Sequence, residues 1–317
     1  MSLALPLPIW WTLAGVYGAL GLASAIATGL ALVRRQQDHS ELLARLRSWW
    51  IIITLFSLSL ALHRTGTILF WALLSFVALR EYVSLIPTRL SDRRVIIWAY
   101  SAIGLQYLWV YLGWYGMFLI FIPVYVFLFL PLRMVLIGET KGFLNAVSTI
   151  HWGVMLTVYA LSHLAYLVTL PDGLNPVAGG TGLLVYLVLL TEVNDIAQYC
   201  WGKWLGRRPV IPKVSPGKTI AGLLGGIVTT TAITAFLAPW LTPFSLPAAA
   251  GLGLLLSLTG FMGDVTVSAL KRDLEIKDSG TLIPGHGGIL DRIDSLTYTA
   301  PLFFHILIYF YWGGQWL

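Results

Sequence analysis

Two segments of this chain hold the residue types that handle phosphate, and they carry opposite chemistry. Residues 263–295 contain six of the fourteen acids, Asp264, Asp273, Glu275, Asp278, Asp291 and Asp294, interleaved with Lys271, Arg272, Lys277 and Arg292. Magnesium takes one or two carboxylates and completes its shell with water and phosphate oxygens, so acids set beside cations suit Mg²⁺ plus phosphate. Asp291 and Asp294 lie three apart and share a face if helical; Asp264 stands where the preceding apolar run ends. Asp273 and Glu275 read as solvated salt-bridge partners. Between them, Ile283-Pro284-Gly285-His286-Gly287-Gly288 is too rich in glycine to be helical, and its backbone can approach a ligand closely. His286 is a candidate contact to phosphate or ribose, with a general-base role dependent on geometry.

The second segment, from Trp201 to Thr219, holds Lys203, Arg207, Arg208, Lys213 and Lys218 and no acid. Positive-inside topology and anionic headgroups account for such a stretch; a polyphosphate site is the sharper reading. Its support is Ser215-Pro216-Gly217-Lys218-Thr219 running straight into an apolar helix, with Gly222, Gly225 and Gly226 following. A helix N-terminus presents free N–H groups and a positive dipole end to phosphate oxygens, and the lysine and two hydroxyls add donors. Position 212 is proline where a Walker A loop needs glycine, which disfavours a P-loop ATPase. The small residues also suit close helix packing. Within the apolar runs, Glu192, Asn194 and Asp195 are costly to bury, and Asp195 is the functional candidate, with helix–helix hydrogen bonding as the competing role. His151, His163 and His305 read as core or interfacial residues, and Arg80 with Glu81 as an interfacial ion pair.

These residues need elements to position them, and composition says which kind. The chain has 317 residues, 57% hydrophobic and only 11% charged, with a mean hydropathy of +0.80. No soluble chain has that balance. Fourteen each of Trp, Tyr and Phe exclude disorder, and the single Cys200 excludes an internal disulfide. Apolar runs at about 9–33, 49–63, 66–79, 95–114, 116–132, 149–170, 180–199, 220–239, 246–262 and 296–313 predict an all-α polytopic membrane protein of about ten helices. The second and third runs are two tight spans or one re-entrant hairpin. With the N-terminus outside, loops 34–48, 80–94, 133–148, 200–219 and 263–295 face inward and carry 19 of the 20 Lys and Arg. Both termini then face away from the cytoplasm, and the +6 net charge marks topology rather than nucleic-acid binding. No positive region precedes the first run, which is too long for a signal peptide, so it reads as a retained helix. The chain is expected to be one membrane domain, 1–317.

Ser268-Ala269-Leu270-Lys271-Arg272, then Lys277-Asp278-Ser279-Gly280, then Leu282 through Gly288 and Ile289-Leu290-Asp291-Arg292-Ile293-Asp294 resemble the signature of phosphatidate cytidylyltransferases, also called CDP-diacylglycerol synthases. Asn194-Asp195, Gly202-Lys203 and Pro212 through Thr219 with Gly225-Gly226 resemble the same family. Similarity is clear from about 190 to 300, the expected catalytic region, while residues 1–148 match in hydrophobic layout alone. Asn194, Ile220-Ala221 and Val267 depart from the family pattern. The resemblance implies that CTP and phosphatidic acid give CDP-diacylglycerol and pyrophosphate, in a homodimer among membrane lipids. It implies Mg²⁺ held between Asp264 and Asp291, with room for a second ion, and Asp294 or Asp278 in support. Lys218, Lys271, Arg272 and Arg292 would hold phosphates, Ser215 and Thr219 would add hydroxyls, and Lys213, Ser268, Lys277, Gly287 and Gly288 would complete the substrate contacts. A bacterial inner membrane is the expected location, with the site facing the cytoplasm. The rivals are a CTP-dependent enzyme for another lipid phosphate or lipid alcohol, a paralogue with a degenerate site, and a transporter. A transporter would place its polar residues at the midplane.

Overall fold

The computed structural model describes residues 5–34, 38–89, 92–285 and 287–311. Among the described residues, ten helical spans are long and apolar enough to cross a membrane. An apolar run in lipid must satisfy its own backbone, and a helix does so within one segment. The first four spans are α1 (Leu7–Val33), α2 (Ser40–Ala61), α3 (His63–Leu85) and α4 (Arg93–Leu112). The fifth comprises α5 (Tyr115–Ile120), a π-helical stretch (Phe121–Val126) containing Pro123, and α6 (Phe127–Val135). The sixth comprises α7 (Phe143–Val154), a second π-helical stretch (Met155–Tyr159) and α8 (Ala160–Leu167). Then come α9 (Gly179–Leu205), α10 (Ile220–Leu241), α11 (Leu246–Asp273), the short α12 (Leu290–Ile293) and α13 (Leu296–Tyr311).

The ambiguous second and third runs are two full spans, joined by a turn at Leu62 and His63 in which His63 has φ 60°. Gly66 lets the turn close, because a Cβ there would lie 2.3 Å from that of Leu62. Several helices also outrun their apolar stretches: α2 starts at Ser40 and takes in Arg45 and Arg47, and α11 continues to Asp273. Backbone hydrogen bonding does not stop where hydropathy does, so Asp264 sits inside α11 rather than at its end.

Buried Leu79, Tyr82, Val110, Phe118, Leu164, Tyr186, Phe303 and Phe304 form one core. Around it α9, α10 and α11 pack together, α13 lies against α11 and α8, and α3 lies against α4 and α8. His163 belongs to this core, its ring edge-on to Phe118 and Tyr159 and its Nδ1 2.8 Å from the Tyr159 carbonyl. Asn194, one of the departures, is fully buried and joins three helices: its Oδ1 accepts from Ser257 of α11 and Thr230 of α10. Hydrogen bonds of this kind hold helices together where no hydrophobic force distinguishes protein from lipid.

Between α9 and α10 the chain forms a small antiparallel hairpin, β1 (Pro209–Ile211) with β2 (Ser215–Thr219), pairing Pro209 with Thr219 and Ile211 with Ser215. It is the non-helical element that delivers Lys218 to the end of the bundle.

Candidate active site

Three residues of α11, Asp264, Ser268 and Lys271, follow the i, i+4, i+7 spacing that puts side chains on one helix face. Ser268 donates to Asp264 Oδ1 at 3.3 Å. The other oxygen of Asp264 forms an ion pair with Lys218 from β2. Asp195 of α9 and Asp294, just after α12, lie within electrostatic reach of Asp264 and Lys218. The Asp195 Oδ1 accepts from Ser295 at 3.0 Å. Three carboxylates thus act on one ammonium, and Asp264 is the one in contact with it. Burial alone would push the Lys218 ammonium down; the charges of Asp264 and Asp195, with the bond to Asp264, outweigh it and hold Lys218 above its ordinary pKa.

One turn further along α11, Lys271 donates to Asp291 Oδ1 at 2.6 Å, with 13% and 5% of the two side chains exposed. The Asp291 Oδ2 lies within hydrogen-bond distance of the Ser279 N–H at 2.9 Å, the Gly288 N–H at 3.0 Å and the Ser279 hydroxyl at 3.0 Å. Gly287, at φ 82°, passes so close that a Cβ would fall 2.5 Å from that same oxygen. The glycines expected to approach a ligand therefore wrap an aspartate.

Asp291 and Asp294 stand three apart on helical backbone, but their carboxylates meet different partners: Asp294 Oδ1 accepts the N–H of Ser295 at 2.8 Å, while Asp291 Oδ1 receives Lys271. Thr219 caps α10: its hydroxyl oxygen accepts from Gly222 N–H at 3.1 Å, which leaves the O–H proton to donate elsewhere. Gly222 and Gly225 pack α10 onto α9, since Cβ atoms there would lie 2.6 Å from the Gln198 carbonyl and 2.2 Å from Trp201. Arg272 donates to the carbonyls of Val214 and Ile276, tying the hairpin to α11. Arg292 lies within electrostatic reach of Glu192. Ser215 opens β2 opposite Ile211. Lys213, Lys277 and Asp278 are exposed on turns beside the site. His286 lies outside the described residues.

Contributors that the sequence did not single out come from outside the signature or hide within it. Ser279 lies within the quoted signature, but the sequence assigns it no role. Arg45 and Ser48 of α2 donate to the carbonyls of Gly285 and Pro284 at 3.0 and 2.8 Å. Glu81 of α3, expected to pair with Arg80, instead accepts from Ser279 Oγ and from the N–H groups of Ile289 and Leu290. Arg80-Glu81 adjacency offered a sufficient local explanation and so concealed a long-range one.

Among the described residues, no group of three or more His, Cys, Asp or Glu side chains forms a ready metal cage. The donors nevertheless suit a hard divalent cation: Asp264 and Asp291, with Asp294 beside them, offer carboxylate oxygens, and Mg²⁺ needs only one or two.

A polytopic helical membrane protein with lysines and aspartates interleaved at one end of its bundle has the equipment of an enzyme that handles phosphate beside lipid. Residues 43–310 match the model of the Cytidylyltransferase family, and the chain belongs to that family. It is 46% identical over 298 residues to the uncharacterised protein YnbB of Escherichia coli (strain K12), covering 94% of this chain and 98% of that one. It is 44% identical over 133 residues to a phosphatidate cytidylyltransferase of Synechocystis sp. (strain ATCC 27184 / PCC 6803 / Kazusa), or 40% of this chain and 44% of that one. A phosphatidate cytidylyltransferase of Bacillus subtilis (strain 168) is 39% identical over 132 residues, 41% of this chain and 49% of its own.

Proposed function

We propose that this chain joins CTP to phosphatidic acid, forming CDP-diacylglycerol and releasing pyrophosphate. The observation that carries this reading is the convergence of Lys218, Asp195, Asp264, Asp294, Lys271 and Asp291 at one end of a membrane-spanning bundle, on the segments that resemble phosphatidate cytidylyltransferases. That end faces the cytoplasm, where CTP is found, because the loops there carry 19 of the 20 basic residues.

Phosphatidate is a phosphate monoester, largely ionised near neutrality, so its oxygen needs no strong base to attack. A bond forms from that oxygen to the α-phosphorus of CTP. The bond from the α-phosphorus to the bridging oxygen breaks, and pyrophosphate leaves with the electron pair. Such transfer depends on alignment and charge neutralisation. Lys218 and Lys271 supply the charge by exchanging their carboxylate partners for phosphate oxygens, with Arg272 and Arg292 at the edges of the site. Asp264 and Asp291 would hold Mg²⁺, with Asp294 in support, each giving up its lysine to do so. Bound there, the ion would neutralise charge on the phosphates.

The test is pyrophosphate release from CTP by the full chain in detergent, with and without phosphatidic acid and Mg²⁺, beside Asp264→Asn. Turnover requiring lipid and metal, and reduced by roughly 100-fold or more in the variant, is expected. Turnover with another lipid phosphate or a lipid alcohol, and none with phosphatidic acid, would overturn the acceptor assignment. Failure to bind CTP would overturn the enzyme reading.

A further inference from the structure

Glu81 lies in the N-terminal helices, far in sequence from the signature segments, yet its carboxylate reaches the centre of the signature loop. Its Oε2 accepts the N–H of Ile289 at 2.9 Å and its Oε1 the N–H of Leu290 at 3.0 Å, residues 208 and 209 positions away. Oε1 also lies 2.6 Å from Ser279 Oγ. The first N–H groups of a helix have no partner within it, and α12, four residues long, has few other resources. A carboxylate there answers both the open donors and the positive end of the helix.

The close approach also explains why glycine stands where it does. A Cβ at Gly288 would lie 2.1 Å from Glu81 Oε1 and 2.3 Å from Ser279 Oγ, and one at Gly280 would lie 3.2 Å from Glu81 Oε2. Gly288 N–H and both donors of Ser279 are the groups that meet Asp291 Oδ2. Asp291 Oδ1 in turn receives Lys271. A chain of contacts therefore runs from α3 through Ser279 and Gly288 to Asp291 and Lys271.

We propose that Glu81 is a positioning residue: its carboxylate fixes the loop of 279–293, and with it the direction in which Asp291 and Lys271 face the substrate. The catalytic consequence rests on the cytidylyltransferase reading above; the ordering of the loop does not.

The experiment is hydrogen exchange read by mass spectrometry on the full chain in detergent, comparing the natural protein with Glu81→Ala and Glu81→Gln, with kcat and KM measured alongside. Glutamine keeps the shape but turns one acceptor into a donor facing an N–H. If Glu81 works as an acceptor, both variants speed exchange across 279–293 on the order of tenfold, with other segments unchanged. kcat then falls on the order of tenfold while KM for CTP moves less than about twofold. Glutamine behaving like the natural residue in loop exchange would reduce Glu81 to packing and overturn the proposal. So would exchange rising evenly through the whole chain in both variants. Exchange needs no turnover, so a natural protein inactive toward phosphatidic acid would sink the reaction assigned above and leave this inference to be judged on the loop alone.

Discussion

Lys271 and Asp291 illustrate how much a single pair can carry. Both are largely buried, and removing one partner leaves an uncompensated charge, which costs about 3–5 kcal/mol. Asp291→Leu should therefore lower the thermal midpoint in detergent sharply, and adding Lys271→Met should recover only the part due to the unpaired lysine, because the Ser279 and Gly288 donors that meet Asp291 stay unanswered. The size of that partial recovery separates the ion pair from the backbone bonds. Lys218 makes a complementary prediction about pH. Its pKa is raised in the folded chain above the ordinary 10.5, so the stability it contributes is fully present below that value and is lost as pH rises through the folded pKa. The difference in thermal midpoint between the natural chain and Lys218→Met should shrink as the pH rises above about 10.

Packing of α9 on α10 sets where the hairpin, and hence Lys218, can sit. Gly222→Ala would press a methyl group against the backbone carbonyl of Gln198, which cannot swing aside. A loss of about 1–3 kcal/mol is expected, with turnover lost as the hairpin shifts. Gly217 is the contrast: nothing lies within 4 Å of its would-be Cβ, so Gly217→Ala should leave the thermal midpoint unchanged, and a raised KM for CTP would report phosphate approaching that backbone. The spans were legible in sequence because twenty apolar residues in a row have one physical solution in lipid. Their ends were not, since Arg45, Asp264 and Lys271 extend helices that hydropathy cuts short. The hairpin was hidden by Pro209, Pro212 and Pro216, which read as irregular chain although proline is tolerated at exposed strand edges. Of the site, Asp264, Lys218, Lys271 and Asp291 could be singled out because they lie in contiguous motifs. Glu81 could not, because no local pattern marks a residue whose partners are some two hundred positions away.

At the scale of the whole molecule, the ten spans among the described residues are long and apolar enough to cross a membrane, and Lys218, Asp264, Lys271 and Asp291 meet at one end of the bundle. That end can be located with the chain's single cysteine as the handle. With Cys200→Ser and Lys213→Cys, the thiol moves to the exposed hairpin turn, and a membrane-impermeant maleimide should label inverted vesicles at once and right-side-out vesicles only after permeabilisation. Labelling in the opposite order would reverse the orientation. The bonds from Arg45, Ser48 and Glu81 to residues 284–290 join the beginning of the chain to its end. Synthesis runs from the N-terminus, so these anchors enter the membrane long before the loop that they hold has been made. The loop therefore folds onto partners that already stand in place, and α2 and α3 act as its template rather than the reverse.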